Sequence, residues 1–553
     1  MTSLNLNLLR RGKGIYERTC SLGLGATGRS LYDQMELKVF GFRSHLISRS
    51  GVKYGLVENA GRQNVEDGSS LTGYGSIFSN GKYFAFSDHE LFNFKKNDAK
   101  GKNLDGHSVS YYKIYPKKCV QRRMNFLVDV GEKYFYLIDL YRMRGGVDHW
   151  RQMSLLPNAI NKFEGVSILQ DHGTFLLANE VSVLPSYGNH FVDVVSPKVF
   201  VSGKSWTLTS QVSDFDGLTM KLHSVSDGGA RVYSGFPRLR DSGHRRKELF
   251  LGQEMVFWHH PKSKNNQDTY TSEVMNIIEF FGGECVSPQI HSVQRIKVSG
   301  PDESGFEPVG IEVKLKNRTD YFLLSASDKT KVMKLPNQEL FELDGRVGFA
   351  TYDSKDSLEH LEIIHGKSLV CGNHVIDSVP EISGKIVAVN SSNNRVVIST
   401  KVPIPDFITE EFLVGKMANI KKGIFKETYK IEEALLDGNR NKIILRFHLP
   451  VISLKSKVTK ISSNAIKLEA VYTDWNFSIH GSVVEGRSGK MFRIDCKDAP
   501  KGDWLFFHPQ SQGKNFDGNT LNDEFTSGDT IKIYDYWLGD SIQIPVNQSR
   551  TIH

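Results

Sequence analysis

MNFLVDVGEKYFYLIDLYRMRGGVDHW, residues 124–150, is two β-rich runs around a Gly-Glu-Lys turn, and it reads as a hairpin. Within the second run Asp139 stands among Tyr134, Phe135, Tyr136, Leu137, Ile138, Leu140 and Tyr141. An unpaired carboxylate in such surroundings is costly, so a buried Asp139 requires a cation, and Arg142 and Arg144 are the nearest in sequence. The Gly145–Gly146 pair permits a sharp turn, after which Asp148, His149 and Trp150 are expected at a loop or sheet edge. Trp and His at a strand end are suited to stacking on a sugar, and equally to plugging a sheet end.

Working outward, the same pattern recurs. GKIVAVNSSNNRVVIST (384–400) is two alternating runs around Ser-Ser-Asn-Asn, and similar pairs flank SNGK (79–82), SDGG (226–229) and DGNRNK (437–442). Only TSEVMNIIEFF (271–281) and KIEEALLDG (430–438) fit a helical period about as well as a strand period. The expected fold class is all-β: a large antiparallel β-sandwich (a supersandwich) followed by a smaller β-rich unit. The divisions expected are an N-terminal strand segment at 1–35, the sandwich at 36–380 and the smaller unit at 381–553. The last boundary is drawn where HVIDSVPEISG breaks the strand pattern.

At 553 residues the chain exceeds what one hydrophobic core usually covers. Charged residues make up 24% and apolar ones 39%, and no apolar run approaches eighteen residues, so no membrane span is expected. The net charge of +8 looks spread along the chain and suits an acidic partner, either a uronic-acid or sulfated polysaccharide or nucleic acid. A mildly basic surface with no such partner is the plain alternative. Cys20, Cys119, Cys285, Cys371 and Cys496 are far apart and read as buried thiols. The first twenty residues lack the basic-then-apolar order of an export signal.

Three further clusters carry possible chemistry. In FRSHLISRSGVKYG (42–55) a strand would put Arg43, His45, Arg49 and Lys53 on one face beside Tyr54, a cationic face with a titratable imidazole. ENAGRQNVEDG (58–68) holds Glu58, Arg62, Glu66 and Asp67, acids that solvate a turn or bind a cation. FPRLRDSGHRRKE (236–248) is the strongest short charge run and reads as an exposed loop. It lacks interleaved aromatics and any nucleic-acid-binding motif, which makes nucleic acid the weaker of the two polyanion readings. No nucleophile elbow, P-loop or Rossmann fingerprint occurs.

From Arg122 and Arg123 through LVDV to Asp139, Arg142, Gly145, Gly146 and His149, the chain resembles the heparinase II/III-like polysaccharide lyases. SLNLNLLRRGKGIYE (3–17), RSHLISRSGVKYGLVENAGRQ (43–63), TYTSEVMNIIEFFGGE (269–284), DYFLLSASD (320–328) and GRVGFATY (345–352) come in the family's order. The resemblance implies β-elimination on a uronic-acid-containing polysaccharide, with Tyr and His as acid and base. It also implies an α/α toroid ahead of the sandwich and a cleft between them. This chain resembles the sandwich side alone. On that alignment His45 and Tyr54 fall near the chemistry, Arg43, Arg49 and Arg62 clamp carboxylate or sulfate, and His149 and Trp150 contact substrate.

Two departures qualify the alignment. The family's His-x-His segment has no counterpart ahead of SLNLNL, and its His-Asn dipeptide is here His45-Leu46. The structural divalent metal held by some members would be left with Glu17 and His45, too few ligands for stable zinc. The resemblance therefore implies a lyase-like chain inactive unless a separate toroid domain or chain completes it, acting in the periplasm or outside the cell. The alternative is a non-catalytic protein that binds acidic glycans or sits at a cell surface.

Overall fold

The computed structural model describes residues 7–11, 18–24, 34–41, 44–47, 62–63, 70–80, 82–102, 108–144, 149–156, 158–171, 174–176, 192–212, 217–225, 230–240, 248–250, 254–260, 271–282, 287–300, 305–327, 329–422, 425–462, 465–469, 481–494, 498–500, 504–507 and 518–552. Among them the chain is nearly all strand, with two helices of four and seven residues, Glu410–Leu413 and Gly518–Glu524. The all-β expectation holds. TSEVMNIIEFF is the strand Thr271–Phe281, where β-branched and aromatic content prevailed over helical spacing, and 430–436 lies in the strand Phe425–Leu436, where pairing on both sides overrides helix-forming residues.

The opening hairpin forms as read, with Val130 paired to Tyr134 and Gly131 at φ +70° in the turn. Its second strand, Tyr134–Arg144, is buried on both faces, and this accounts for its nearly continuous apolar run. Phe135 and Leu137 join one core with Trp206, Leu208, Met220 and Trp258, inside the curl of a large antiparallel sheet. Tyr136, Ile138 and Leu140 join another, packed against Ile311, Val313, Phe322 and Phe349 of a second sheet. The layers are pinned by a buried polar group: Tyr136 Oη donates to Asp320 Oδ2 at 2.7 Å, and Thr351 Oγ1 donates to Asp320 Oδ1 at 2.7 Å.

Three further hairpin readings held and one did not; Ser70–Asn80 pairs with Phe84–Lys102 across SNGK. Phe425–Leu436 pairs with Lys442–Phe447 across DGNRNK, and Glu381–Asn390 pairs with Arg395–Thr400. The strands flanking SDGG do not pair with each other. Thr219–Val225 and Arg231–Arg240 instead lie along successive halves of the long strand Val192–Gln211. A twenty-residue strand offers more partner edge than a short hairpin, and both strands pair along it.

Farther along the chain six strands between Glu381 and Pro545 close a barrel around Ile398, Tyr429, Phe447 and Tyr536, and a further six-stranded sheet is built from strands between Ile452 and Tyr534. The last strand, Asn547–Thr551, returns to pair with Leu358–Cys371 of the second sandwich sheet. No helix among the described residues is long and apolar enough to cross a membrane.

Candidate functional site

The site is built on one end of the large sheet, where the strands Arg62–Gln63, His149–Ser154, Met255–His260 and Arg231–Arg240 run side by side. His149 and Trp150 are not in a loop. They open a strand that is paired on both sides, and the sheet edge belongs to Arg62–Gln63.

Register sorts the residues. Trp150 is opposite Arg62 on one side and His259 on the other, and His259 is opposite Arg231. Directly paired residues share a face, so Arg62, Trp150, His259 and Arg231 form one row across four strands. At about 4.8 Å per strand the row spans roughly 14 Å, more than one pyranose ring. The next row, Gln63, His149 and His260, falls on the opposite face because side chains alternate. Two residues further along, on that same inner face, Arg151 pairs with Trp258.

Beneath the inner face lies a buried ion group centred on Asp139. Arg123 grips its carboxylate side-on, Nε to Oδ1 and Nη2 to Oδ2 both at 2.7 Å, and Asn125 Nδ2 adds a bond of 3.0 Å. Arg151 Nη2 also donates to Asp139 Oδ2. Burial pulls the Asp139 carboxyl upward, but Arg123 and then Arg151 outweigh it and hold the group below the ordinary carboxylate value. Burial draws Arg151 down to about 10 against the pull of Asp139. Both guanidiniums lie over the Tyr141 ring at 5.5 and 5.6 Å, and Arg151 lies 5.2 Å from the Trp258 centroid.

Asp139 is thus paired as its burial requires, but not by the arginines nearest in sequence. Arg142 is an odd number of residues away and points to the other face, where its Nε donates to Glu273 at 2.9 Å and its guanidinium lies over Phe306. The matched positions are cross-strand. Arg123 is opposite Tyr141, and Asn125 is opposite Asp139, which is opposite Asn276.

On the outer row, Tyr233 and His259 rings sit 6.3 Å apart, and both are buried, at 2% and 4% exposure. Both are closed to a polymer; Arg231 is exposed. Arg231, Tyr233 and His259 were missed in the sequence. RVYSG and MVFWHH carry no turn or motif signal, and only pairing to Trp150 gives them meaning.

Glu17, Arg43, Arg49 and Tyr54 lie outside the described residues, and His45 lies in the short strand Ser44–Ile47, of which the backbone is described. Among the described residues no group of three or more His, Cys, Asp or Glu is arranged to hold a metal ion. The 236–248 charge run begins in a strand pair, with Arg238 opposite Phe250 and Arg240 opposite Glu248, while 241–247, with His244, Arg245, Arg246 and Lys247, lie outside the described residues. Cys371 is a buried free thiol.

No family model matches the chain, and no curated protein matches it. Among solved structures, a heparinase III aligns over 56% of this chain and 38% of its own, with a TM-score of 0.30 and 14% identity. The heparan sulfate lyase HepC of Pedobacter heparinus aligns over 56% of this chain and 39% of its own, with a TM-score of 0.25 and 11% identity. A HepC mutant aligns over 57% and 41%, with a TM-score of 0.28 and 10% identity. This chain spans about two fifths of the length of those proteins.

Proposed function

We propose that this chain recognises acidic polysaccharide on the face that carries Arg62, Trp150 and Arg231. The observation that carries the reading is the register: Trp150 is directly opposite Arg62 on the edge strand, and Arg231 is on the same face two strands away, beyond His259. An indole supplies a flat apolar surface for a sugar ring, and arginines supply forked donors for carboxylate or sulfate. The buried Asp139 group stiffens the strand that carries His149 and Trp150, which lowers the ordering cost of binding. The sequence resemblance to polysaccharide lyases points to the same ligand class.

A second reading is β-elimination. Arginine neutralisation of a uronate acidifies the adjacent C–H, and a His–Tyr pair is the acid–base set such chemistry uses. Tyr233 beside His259 favours it, but their burial favours binding over turnover. In a cleft completed by a toroid domain or chain, His45 and Tyr54 would take the acid and base roles, with Arg43, Arg49 and Arg62 on the anionic groups. Action in the periplasm or outside the cell belongs to the same reading.

The test is a titration of the purified protein with heparan sulfate, chondroitin sulfate, alginate and neutral dextran, with ultraviolet absorbance recorded in parallel. Binding to the acidic polymers without new absorbance supports recognition. Release of unsaturated, absorbing ends establishes elimination. Equal affinity for dextran would overturn both readings.

A further inference from the structure

The hairpin Phe84–Lys102 with Ser108–Val130 is longer than the core it serves. Its base supplies Phe84, Phe86, Phe126 and Val128 to the sandwich. The pairing then shifts register between Phe92 and Phe94, where Lys117, Lys118 and Cys119 have no counterpart beyond Asn93 on the facing strand. Such a bulge bends a ribbon and re-aims the segment beyond it. Nine further pairs run from Phe94 opposite Pro116 to Lys102 opposite Ser108, a length of about 30 Å. The strand Asp498–Pro500 pairs with Tyr111–Lys113 on the ribbon's outer edge and ties it to the C-terminal part of the chain.

The ribbon's composition departs from the rest of the protein. Residues 93–118 hold seven lysines against two aspartates, a net +5 out of the chain's +8. The surplus is therefore concentrated on one element and not spread along the chain. Register places Lys95 opposite Tyr115, Lys113 opposite Asn97 and Tyr111 opposite Ala99, all on one face. Lys96, Lys100 and Tyr112 fall on the other. By this register the positions of Lys95 and Lys113 are diagonal neighbours, about 7–8 Å apart and within one screening length at physiological salt.

We propose that this ribbon is a second anionic-polymer site, one that takes a long stretch of acidic polysaccharide while the Arg62–Trp150 row takes a short segment. The ligand class rests on the function proposed above. The charge, at roughly one cation per four residues, fits a polymer carrying a repeated anion. The same two strands carry four aromatic residues, Phe94, Tyr111, Tyr112 and Tyr115, a residue type suited to stacking on sugar rings.

The experiment compares the unaltered protein, a ribbon variant (Lys95→Gln, Lys96→Gln, Lys100→Gln) and Trp150→Ala, each checked by thermal melting. The probes are full-length heparan sulfate, a heparan sulfate tetrasaccharide and single-stranded DNA at several salt concentrations. The ribbon variant is expected to lose at least tenfold in affinity for the long polymer, to show a shallower salt dependence and to keep its tetrasaccharide affinity. Trp150→Ala is expected to lose tetrasaccharide affinity and keep most long-chain binding; if it does not, the row reading falls and the ribbon reading stands. Unchanged long-chain affinity in the ribbon variant overturns the proposal, as does an unaltered protein that fails to bind the long chain. DNA bound more tightly than heparan sulfate, and lost in the ribbon variant, overturns it in favour of a nucleic-acid site.

Discussion

Arg123 and Asp139 meet side-on in a wholly buried setting, with two bonds of 2.7 Å from positions two residues out of register on neighbouring strands. The pair fixes the strand carrying the apolar run to the strand before it. Arg151 then ties in the strand that starts with His149 and Trp150.

Removing the carboxylate leaves two guanidiniums buried without the anion they share. Asp139→Ala is expected to destabilise the protein by about 3–5 kcal/mol, measured by denaturant unfolding. The acid dependence comes from the sign of the shift. The folded-state value of Asp139 lies below its unfolded value, so its contribution is present above the unfolded value, near 4, and is lost as pH falls through the folded one. In Asp139→Asn the unfolding free energy should fall less between pH 4 and 2 than in the unaltered protein; parallel acid limbs would show that the pair contributes nothing to acid stability.

Cys371 is 1% exposed, and burial pushes its thiol up to about 11. Tyr352 Oη lies 3.0 Å from its sulfur and opposes that rise. Because the thiolate is the reactive species, Cys371 should resist iodoacetamide at pH 8 in the native protein and react on unfolding. Peptide mass mapping reads this directly, and rapid native-state labelling of Cys371 would contradict it.

Gly345 and Gly366 are paired across the second sheet, and a Cβ on Gly345 would lie 2.5 Å from the Gly366 Cα. On Gly366 a Cβ would meet Asp344 O at 2.7 Å. Backbone is in the way at both positions, so Gly366→Ala should cost about 1–3 kcal/mol, seen as a lower denaturation midpoint at unchanged m.

The fold was legible where local chemistry and global pairing agree. The run 134–141 announced a strand, and Gly131 with its neighbours announced the turn. Cross-strand relationships stayed hidden. Asp139 finds Arg123 and Arg151 through register, whereas sequence distance pointed to Arg142. Trp150 was visible as a candidate, but Arg231 and His259, eighty or more residues later, become its neighbours only through the order of four strands. The lysines of 93–118 could be counted in the sequence, yet only the pairing brings the positions of Lys95 and Lys113 side by side.

The central claim is tested most directly by calorimetric titration of a sulfated, uronate-containing tetrasaccharide into the unaltered protein, Arg62→Ala, Trp150→Ala and His149→Ala. Arg62 and Trp150 share the proposed face and His149 does not, so the first two substitutions should each weaken binding about tenfold, near 1.4 kcal/mol, with His149→Ala close to unaltered. Equal affinities across all four proteins, or a loss confined to His149→Ala, would contradict the account.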